Sequence, residues 1–434
     1  MKKELGFWSL LSLVMGNMIG VGIFVMPAVL APYGSLSLVG WGVTLCGALL
    51  LAFMFSRISA LMPQAGGPYA YARAGFGDFI GFQTAWTYWI SLWVGSVATI
   101  VSTVGYLSVF YPCVAHPTSA LLVGLALIWG LTCINILSVA LSGRFQIVMT
   151  VMKLLPLVLL LALGVPHVES SHFTVFNPSG KPIMMALIEV VTLTMWAFIG
   201  VESATIPSDY VKNPRKTIPR ATFWGTLFVG VAYISISALV MGLLPPSILQ
   251  SSPAPFADAA KVIMGVHGAW IIALAAIFAA VGSLNGWFLV QAQVPMAAAQ
   301  DGLFLKRFGR LNHKGIPVFG LVVTALLMSG LLVISQQQSL VSTFQFMITL
   351  ATLSVLLTYL FSAISELTFY ADMPGTFSKR NFLKVLALSI PTIGYVLFAI
   401  YGAGQTIIMW GSLLFFASAP LYAWIRFQKR AKPE

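Results

Sequence analysis

Charge is scarce in this chain. Only 8% of the residues are Asp, Glu, Lys or Arg, against roughly 25% in an ordinary soluble domain, and the shortage excludes a water-soluble globular protein. Cysteine is scarce too: Cys46, Cys113 and Cys133 are the whole supply and show neither metal nor redox spacing, so no disulfide framework is implied. None of the five histidines falls inside an apolar run, and His167 and His172 lack the spacing of a zinc pair. With no suitable carboxylate pair in those runs either, an intramembrane enzyme has no nucleophile, base or metal constellation to work with. Continuous rather than alternating apolar runs exclude a β-barrel. No convincing cleavage site follows Lys2 and Lys3, so the first run reads as a span and not as a signal peptide.

What the chain has in plenty is apolar surface. Hydrophobic residues make up 59% of it and the mean hydropathy is +0.93. About 12 runs are long enough to cross a bilayer as helices, which predicts one all-α membrane domain of 12 transmembrane helices over residues 1–434. The spans are placed at about 7–32, 36–56, 79–110, 118–138, 144–164, 183–206, 221–243, 268–299, 315–335, 340–366, 382–402 and 405–427.

The net charge of +12 follows from topology and not from a nucleic-acid partner. One set of loops collects 20 of the 23 Lys and Arg, among them Lys2, Lys3, Arg57, Arg73, Arg215, Lys306, Lys379 and Arg430. The opposite side has only Lys181 and Lys261, and Lys153 lies inside a span. By the positive-inside rule both termini are cytoplasmic, which an even number of spans requires, in the inner (plasma) membrane of the cell.

Two spans are interrupted. Gly16-Asn17-Met18-Ile19-Gly20-Val21-Gly22-Ile23-Phe24 sits in the middle of span 1, and Trp196-Ala197-Phe198-Ile199-Gly200-Val201-Glu202-Ser203 in span 6. Glycines weaken a helix, and an unwound turn at membrane depth is tolerated only where it is buried in protein or lines a water-filled cavity. Ile19-Gly20-Val21-Gly22 is echoed by Ile199-Gly200-Val201-Glu202. Broken helices in corresponding positions of two halves point to a midplane transport site, where half-helix N-termini face an anion and freed carbonyls a cation. The competing reading is that both stretches are small-residue packing contacts. Spans 1–5 and 6–10 then form two units of opposite orientation, about 7–165 and 183–366, with two additional helices at about 382–427.

Ionisable groups inside spans are expensive unless paired or facing a cavity. Glu202 falls at the second break, a candidate proton carrier or a satisfied structural carboxyl. Lys153 is a proton-binding amine, a fixed cation standing in for sodium against the span 1 carbonyls, or a snorkelling side chain. Glu189 lies nearer the outer end of span 6, toward an entrance. Trp196 abuts the second break, and Trp287 follows Asn285 and Gly286 in a span that also carries Gln291; an indole there can gate a site or meet a cation with its face.

These stretches, with Gly67-Pro68-Tyr69-Ala70-Tyr71-Ala72-Arg73 and Asp301-Gly302-Leu303-Phe304, resemble the amino acid–polyamine–organocation (APC) superfamily, nearest to its basic amino acid/polyamine antiporters of the arginine/agmatine kind. The resemblance implies a LeuT-type 5+5 inverted repeat with helices 1 and 6 broken, secondary transport by alternating access, no cofactor and often a homodimer. It implies that carbonyls of Met18, Trp196 and Ile199 hold the substrate ammonium and that amides of Val21 and Gly22 hold its carboxylate. Trp196 and Trp287 match aromatic gates, Tyr88, Glu202 and Tyr359 a second gating cluster, and Tyr69 a cytoplasmic tyrosine tied to pH response. The chain departs from that pattern in three places. Val21 replaces a serine and has no hydroxyl; Ser96 replaces the arginine-selecting asparagine, with Ser91 and Leu92 as its neighbours; and Lys153 replaces an apolar residue, as in proton-coupled and neutral amino acid members. The reading is an amino acid transporter, an amino acid/polyamine antiporter before a proton-coupled or neutral amino acid carrier, with a channel or sensor as the remaining alternative.

Overall fold

The computed structural model describes residues 5–62, 67–137, 158–205, 211–335, 338–372 and 379–430. In a bilayer every peptide group must find its partner within the protein, and helices satisfy that requirement locally. Apart from one parallel bridge between Leu5 and Val211, in which Lys212 N–H donates to the Leu5 carbonyl at 2.9 Å, the described residues are helices and their connections.

The helices are α1 (Phe7–Met18), α2 (Met26–Leu30), α3 (Leu36–Leu61), α4 (Gly67–Phe76), α5 (Asp78–Leu107), α6 (Pro117–Leu137), α7 (Val158–His167), α8 (Ile183–Met195), α9 (Pro214–Leu243), α10 (Pro246–Ser251), α11 (Pro255–Gln300), α12 (Val318–Ser335), α13 (Leu340–Asp372), α14 (Lys379–Tyr401), α15 (Gly404–Phe416) and α16 (Ser418–Arg430). Ten segments among the described residues are long and apolar enough to cross a membrane. The expected spans 1 and 5 are not among the ten. Span 1 is cut into α1, a 3-10 turn at Val21–Phe24 and α2, and most of span 5, Lys153 included, lies outside the described residues.

Two differences from the sequence reading have local causes. The glycine- and tyrosine-rich stretch taken for a loop after span 2 is helical from Gly67 to Phe76; Pro68 sits in its first turn, where a missing N–H costs nothing. Helix α11 runs back to Pro255, well before the expected start of span 8, but Gly265 (φ 67°, ψ −161°) kinks it, so the membrane-crossing part begins where hydropathy places it.

Large apolar side chains point outward, as lipid contact demands: Trp8 is 75% exposed and Ile334 80%. Inside, two groups of helices form. In the first, α1, α3, α8 with its broken continuation and α9 pack on one another; in the second, α5, α6, α11 and α12 do. Helix α13 lies along α5 and joins α14 and α4. Close approach in the first group needs small residues: a Cβ on Gly40 of α3 would fall 2.1 Å from Val190, and one on Gly225 of α9 2.8 Å from Val14.

Candidate functional site: two helix breaks facing one cavity

Helix α1 stops at Met18 because Ile19 leaves helical geometry (φ −71°, ψ 83°). The Ile19 N–H still reaches the Met15 carbonyl at 2.8 Å, but the Gly20 N–H turns back onto Met18 O at 2.7 Å. The Met18 carbonyl also accepts the Tyr233 hydroxyl from α9 at 2.6 Å. Val21 and Gly22 head the following 3-10 turn, and their surroundings lie outside the described residues.

Helix α8 stops in the same manner. A 3-10 turn at Trp196–Phe198 gives way to extended Ile199 (ψ 130°), then to Gly200 with φ 108°, then to a second 3-10 stretch at Val201–Thr205. That φ is open to glycine and strained for other residues. The two breaks touch. Asn17 Nδ2 donates to Ser203 Oγ at 2.9 Å, and a Cβ on Gly200 would stand 3.3 Å from the Asn17 Cβ. Both glycine motifs therefore interrupt their helices, and the packing-only reading of them does not hold.

Seven of the nine binding candidates, Met18, Ser91, Leu92, Ser96, Trp196, Ile199 and Trp287, line one cavity, about 560 Å³ with its open approach included, together with Asn17, Thr99, Tyr233 and Ser283. The two others are Val21 and Gly22. The described lining has hydroxyls, an amide and two indoles and no charged side chain. A charged guest in it must be met by peptide dipoles at the two breaks or carry both signs itself. Trp196 stands edge-on to Phe344, with ring centroids 5.5 Å apart. Ser96 Oγ returns to the Leu92 carbonyl at 2.9 Å and reaches Gln291 Oε1 at 3.3 Å, linking α5 to α11 at the cavity wall. Asn285 accepts from Asn135 Nδ2 at 2.9 Å, so its amide braces α11 on α6.

Beside the second break Glu202 is 0% exposed. Tyr88 donates to its Oε1 at 2.8 Å, and Tyr359 (2.5 Å) and the Gly200 N–H (3.1 Å) to Oε2. The gating cluster implied by the resemblance is thus gathered on one carboxylate, tying α5 and α13 to the break.

Tyr69 is far from that cluster in kind. It belongs to α4, outside the spans, and donates to Asp301 Oδ2 at 2.8 Å; Arg73 reaches the same oxygen at 3.0 Å and Asp78 at 3.0 Å. Burial, then the Asp301 hydrogen bond, push the phenol well above its ordinary value of 10.0. Tyr69 therefore works as a donor, and its raised value adds stability that is constant below about pH 10 and lost only as pH climbs through the folded-state value. Asp301→Asn is expected to lower the melting temperature more than Tyr69→Phe, because Arg73 still holds Asp301 in the second variant; both effects stay under about 1 kcal/mol, since the groups are partly exposed. Thermal unfolding of the purified variants checks this order.

Tyr233 and Ser283 are site residues that sequence reasoning missed. A tyrosine or serine in an apolar span has no signature separating a site from packing, whereas Asn285 and Gln291 stand out as amides in span 8.

Comparison with known proteins bears on this geometry. The amino acid permease family matches residues 5–425. A cadaverine/lysine antiporter of Escherichia coli (strain K12) is 34% identical over 333 residues, 76% of this chain and 75% of that protein. A putrescine transporter of the same strain is 30% identical over 442 residues, 99% of this chain and 98% of that protein. A multi-pass helical membrane protein with two broken helices on a common cavity and similarity over nearly its whole length belongs to the amino acid permease family, within the APC superfamily.

Proposed function

We propose that this protein exchanges an amino acid for an amine across the inner membrane by alternating access, with the substrate held between the two breaks. The observation that carries the reading is the pairing of interrupted backbones around a cavity whose described lining has no charged side chain. Such a site suits a zwitterion or amine, whose ammonium is met by carbonyls of Met18, Trp196 and Ile199 and whose carboxylate is met by the N–H groups of Val21 and Gly22. Of these carbonyls, Met18 already accepts from Tyr233 and Gly20, and Trp196 from the Ile199 N–H at 3.2 Å, so the ammonium must share or displace those donors. Relatives named for cadaverine, lysine and putrescine support a basic amino acid and a diamine as the substrate pair. Ser96, Ser91 and Leu92 agree with that choice, since none offers a side-chain amide to a guanidinium.

The same reading includes twelve spans in a LeuT-type inverted repeat, cytoplasmic termini, Trp196 and Trp287 as gates, and Tyr88, Glu202 and Tyr359 as a second gate. A homodimer in contact with lipid completes it. Lys153 keeps proton-coupled or neutral amino acid uptake as the second reading. Proteoliposomes separate the two: exchange gives uptake of labelled lysine or cadaverine only into vesicles loaded with the counter-substrate, whereas coupled uptake fills empty vesicles under a pH gradient. No uptake of any amino acid or amine in either format refutes transport.

A further inference from the structure

A second polar recess lies at the end of the bundle opposite the basic loops. It has a volume of about 760 Å³, open mouth included, and its walls include Tyr33, Lys181, Glu189, Leu193, Phe346 and Thr349. Among the described residues, Glu189 is the only acidic side chain on that wall. Tyr33 donates to its Oε2 at 2.8 Å, and Lys181 Nζ spans both carboxylate oxygens at 2.6 and 2.7 Å. The Lys181 side chain is 49% exposed and Glu189 26%. A pair this open to water is weakly held, because solvent screens it and ordering the long lysine stem costs entropy. Tyr33, by contrast, holds the Glu189 carboxylate from the short turn at Ala31–Tyr33 and fixes the acceptor in place.

We infer that Glu189 and Tyr33 form an outer docking site for a primary ammonium ion, which Lys181 occupies with its own side chain until a substrate amine displaces it. A lysine Nζ and the amine of an amino acid or diamine are the same group, with three donors on a tetrahedral head, so one replaces the other on the carboxylate without a change in hydrogen bonding. Tyr33 and Phe346 line the same recess and offer aromatic surface to the cation and its methylene stem. The site also points inward. Glu189 and Leu193 on α8 and Trp196 at its C-terminal cap follow one another at i, i+4 and i+7, so the outer carboxylate stands two turns, about 10 Å, above the indole that lines the central cavity. Leu193 lines the recess and Trp196 the central cavity. An amine held by Glu189 is thereby concentrated at the entrance on the side where the chain has little positive charge. This inference rests on the proposed amine substrate, but its first test does not need transport.

That test is acylation of lysines on the full-length protein in detergent, read by mass spectrometry as the ratio of Lys181 to Lys261 labelling. Lys261 is exposed on the same side, and the ratio cancels consumption of the reagent by the probe, 1,5-diaminopentane. Saturating probe is expected to raise the ratio by up to about fivefold, the span of an exposed ion pair. In Glu189→Gln the ratio is already high and does not respond. A ratio that falls or stays constant with probe in the unaltered protein overturns the site. The second test is exchange in oriented proteoliposomes. Glu189→Gln is expected to raise the half-saturation concentration about tenfold on the Lys181 side with little change on the other, and Lys181→Ala to lower it. A merely structural role moves both variants the same way and both faces together, which overturns the inference. Absence of exchange in the unaltered protein refutes transport and leaves the labelling ratio to decide the outer site.

Discussion

Gly200→Ala is expected to abolish exchange and to lower the stability of the protein, while Gly16→Ala, in the other glycine motif, is expected to do neither. At Gly200 the backbone has φ 108°, a conformation that costs a residue with a side chain of order 1–3 kcal/mol. The new methyl would also sit 3.3 Å from the Asn17 Cβ and 3.4 Å from its carbonyl carbon, where the two breaks meet. Relief of either strain moves Asn17 off Ser203 and opens the joint between the two breaks. Gly16 lies within α1, and a Cβ there meets nothing within 4 Å. Alanine in a helix interior gains up to about 1 kcal/mol over glycine. Thermal unfolding and counterflow uptake of both variants decide the matter; equal effects at the two positions refute the assignment of the unwound joint to Gly200.

The second large effect is expected at Glu202, where alanine and glutamine should part company. Alanine leaves the Tyr88 and Tyr359 hydroxyls and the Gly200 N–H without their acceptor in a site closed to water. Each such loss costs about 1–3 kcal/mol, enough together to unfold a marginal membrane protein. Glutamine keeps all three neighbours in contact and leaves fewer groups unpaired than alanine does. Its carbonyl oxygen at the Oε2 position serves Tyr359 and Gly200, and its NH2 at the Oε1 position donates to the Tyr88 hydroxyl, which accepts as readily as it donates. Glu202→Gln is therefore expected to melt close to the unaltered protein and to bind substrate, yet to flatten the pH dependence of exchange between acid and neutral conditions. A glutamine variant with an unchanged pH profile removes Glu202 from proton coupling and leaves it a structural brace.

The contrast between those residues also explains what could be read from the sequence. Gly200 and Glu202 were legible because both are out of place in hydrocarbon: a glycine weakens the helix and a carboxyl is expensive, so each must have a local reason. The same logic marked Asn17, Asn285 and Gln291. Tyr233 escaped because its apolar ring satisfies every expectation of a buried span, and only the fold brings its hydroxyl to the Met18 carbonyl. The glycine-rich stretch at 67–76 was misread because Gly, Pro and Tyr are turn and interface residues on average, while Pro68 happens to occupy a first turn and Tyr71 is fully buried against the bundle. The long reach of α11 was hidden by Gly265, whose kink keeps the polar leading end outside the hydropathy window.

A residue ahead of α1 and a residue ahead of α9 pair at Leu5 and Val211, and the far end of α1 meets the second break at Asn17 and Ser203. Twelve residues separate Leu5 from Asn17, about 18 Å along a helix. Fastened near both ends, α1 resists tilting by itself. An affinity tag fused just ahead of Leu5 would pull on the first of those two fastenings, a poor place for a handle.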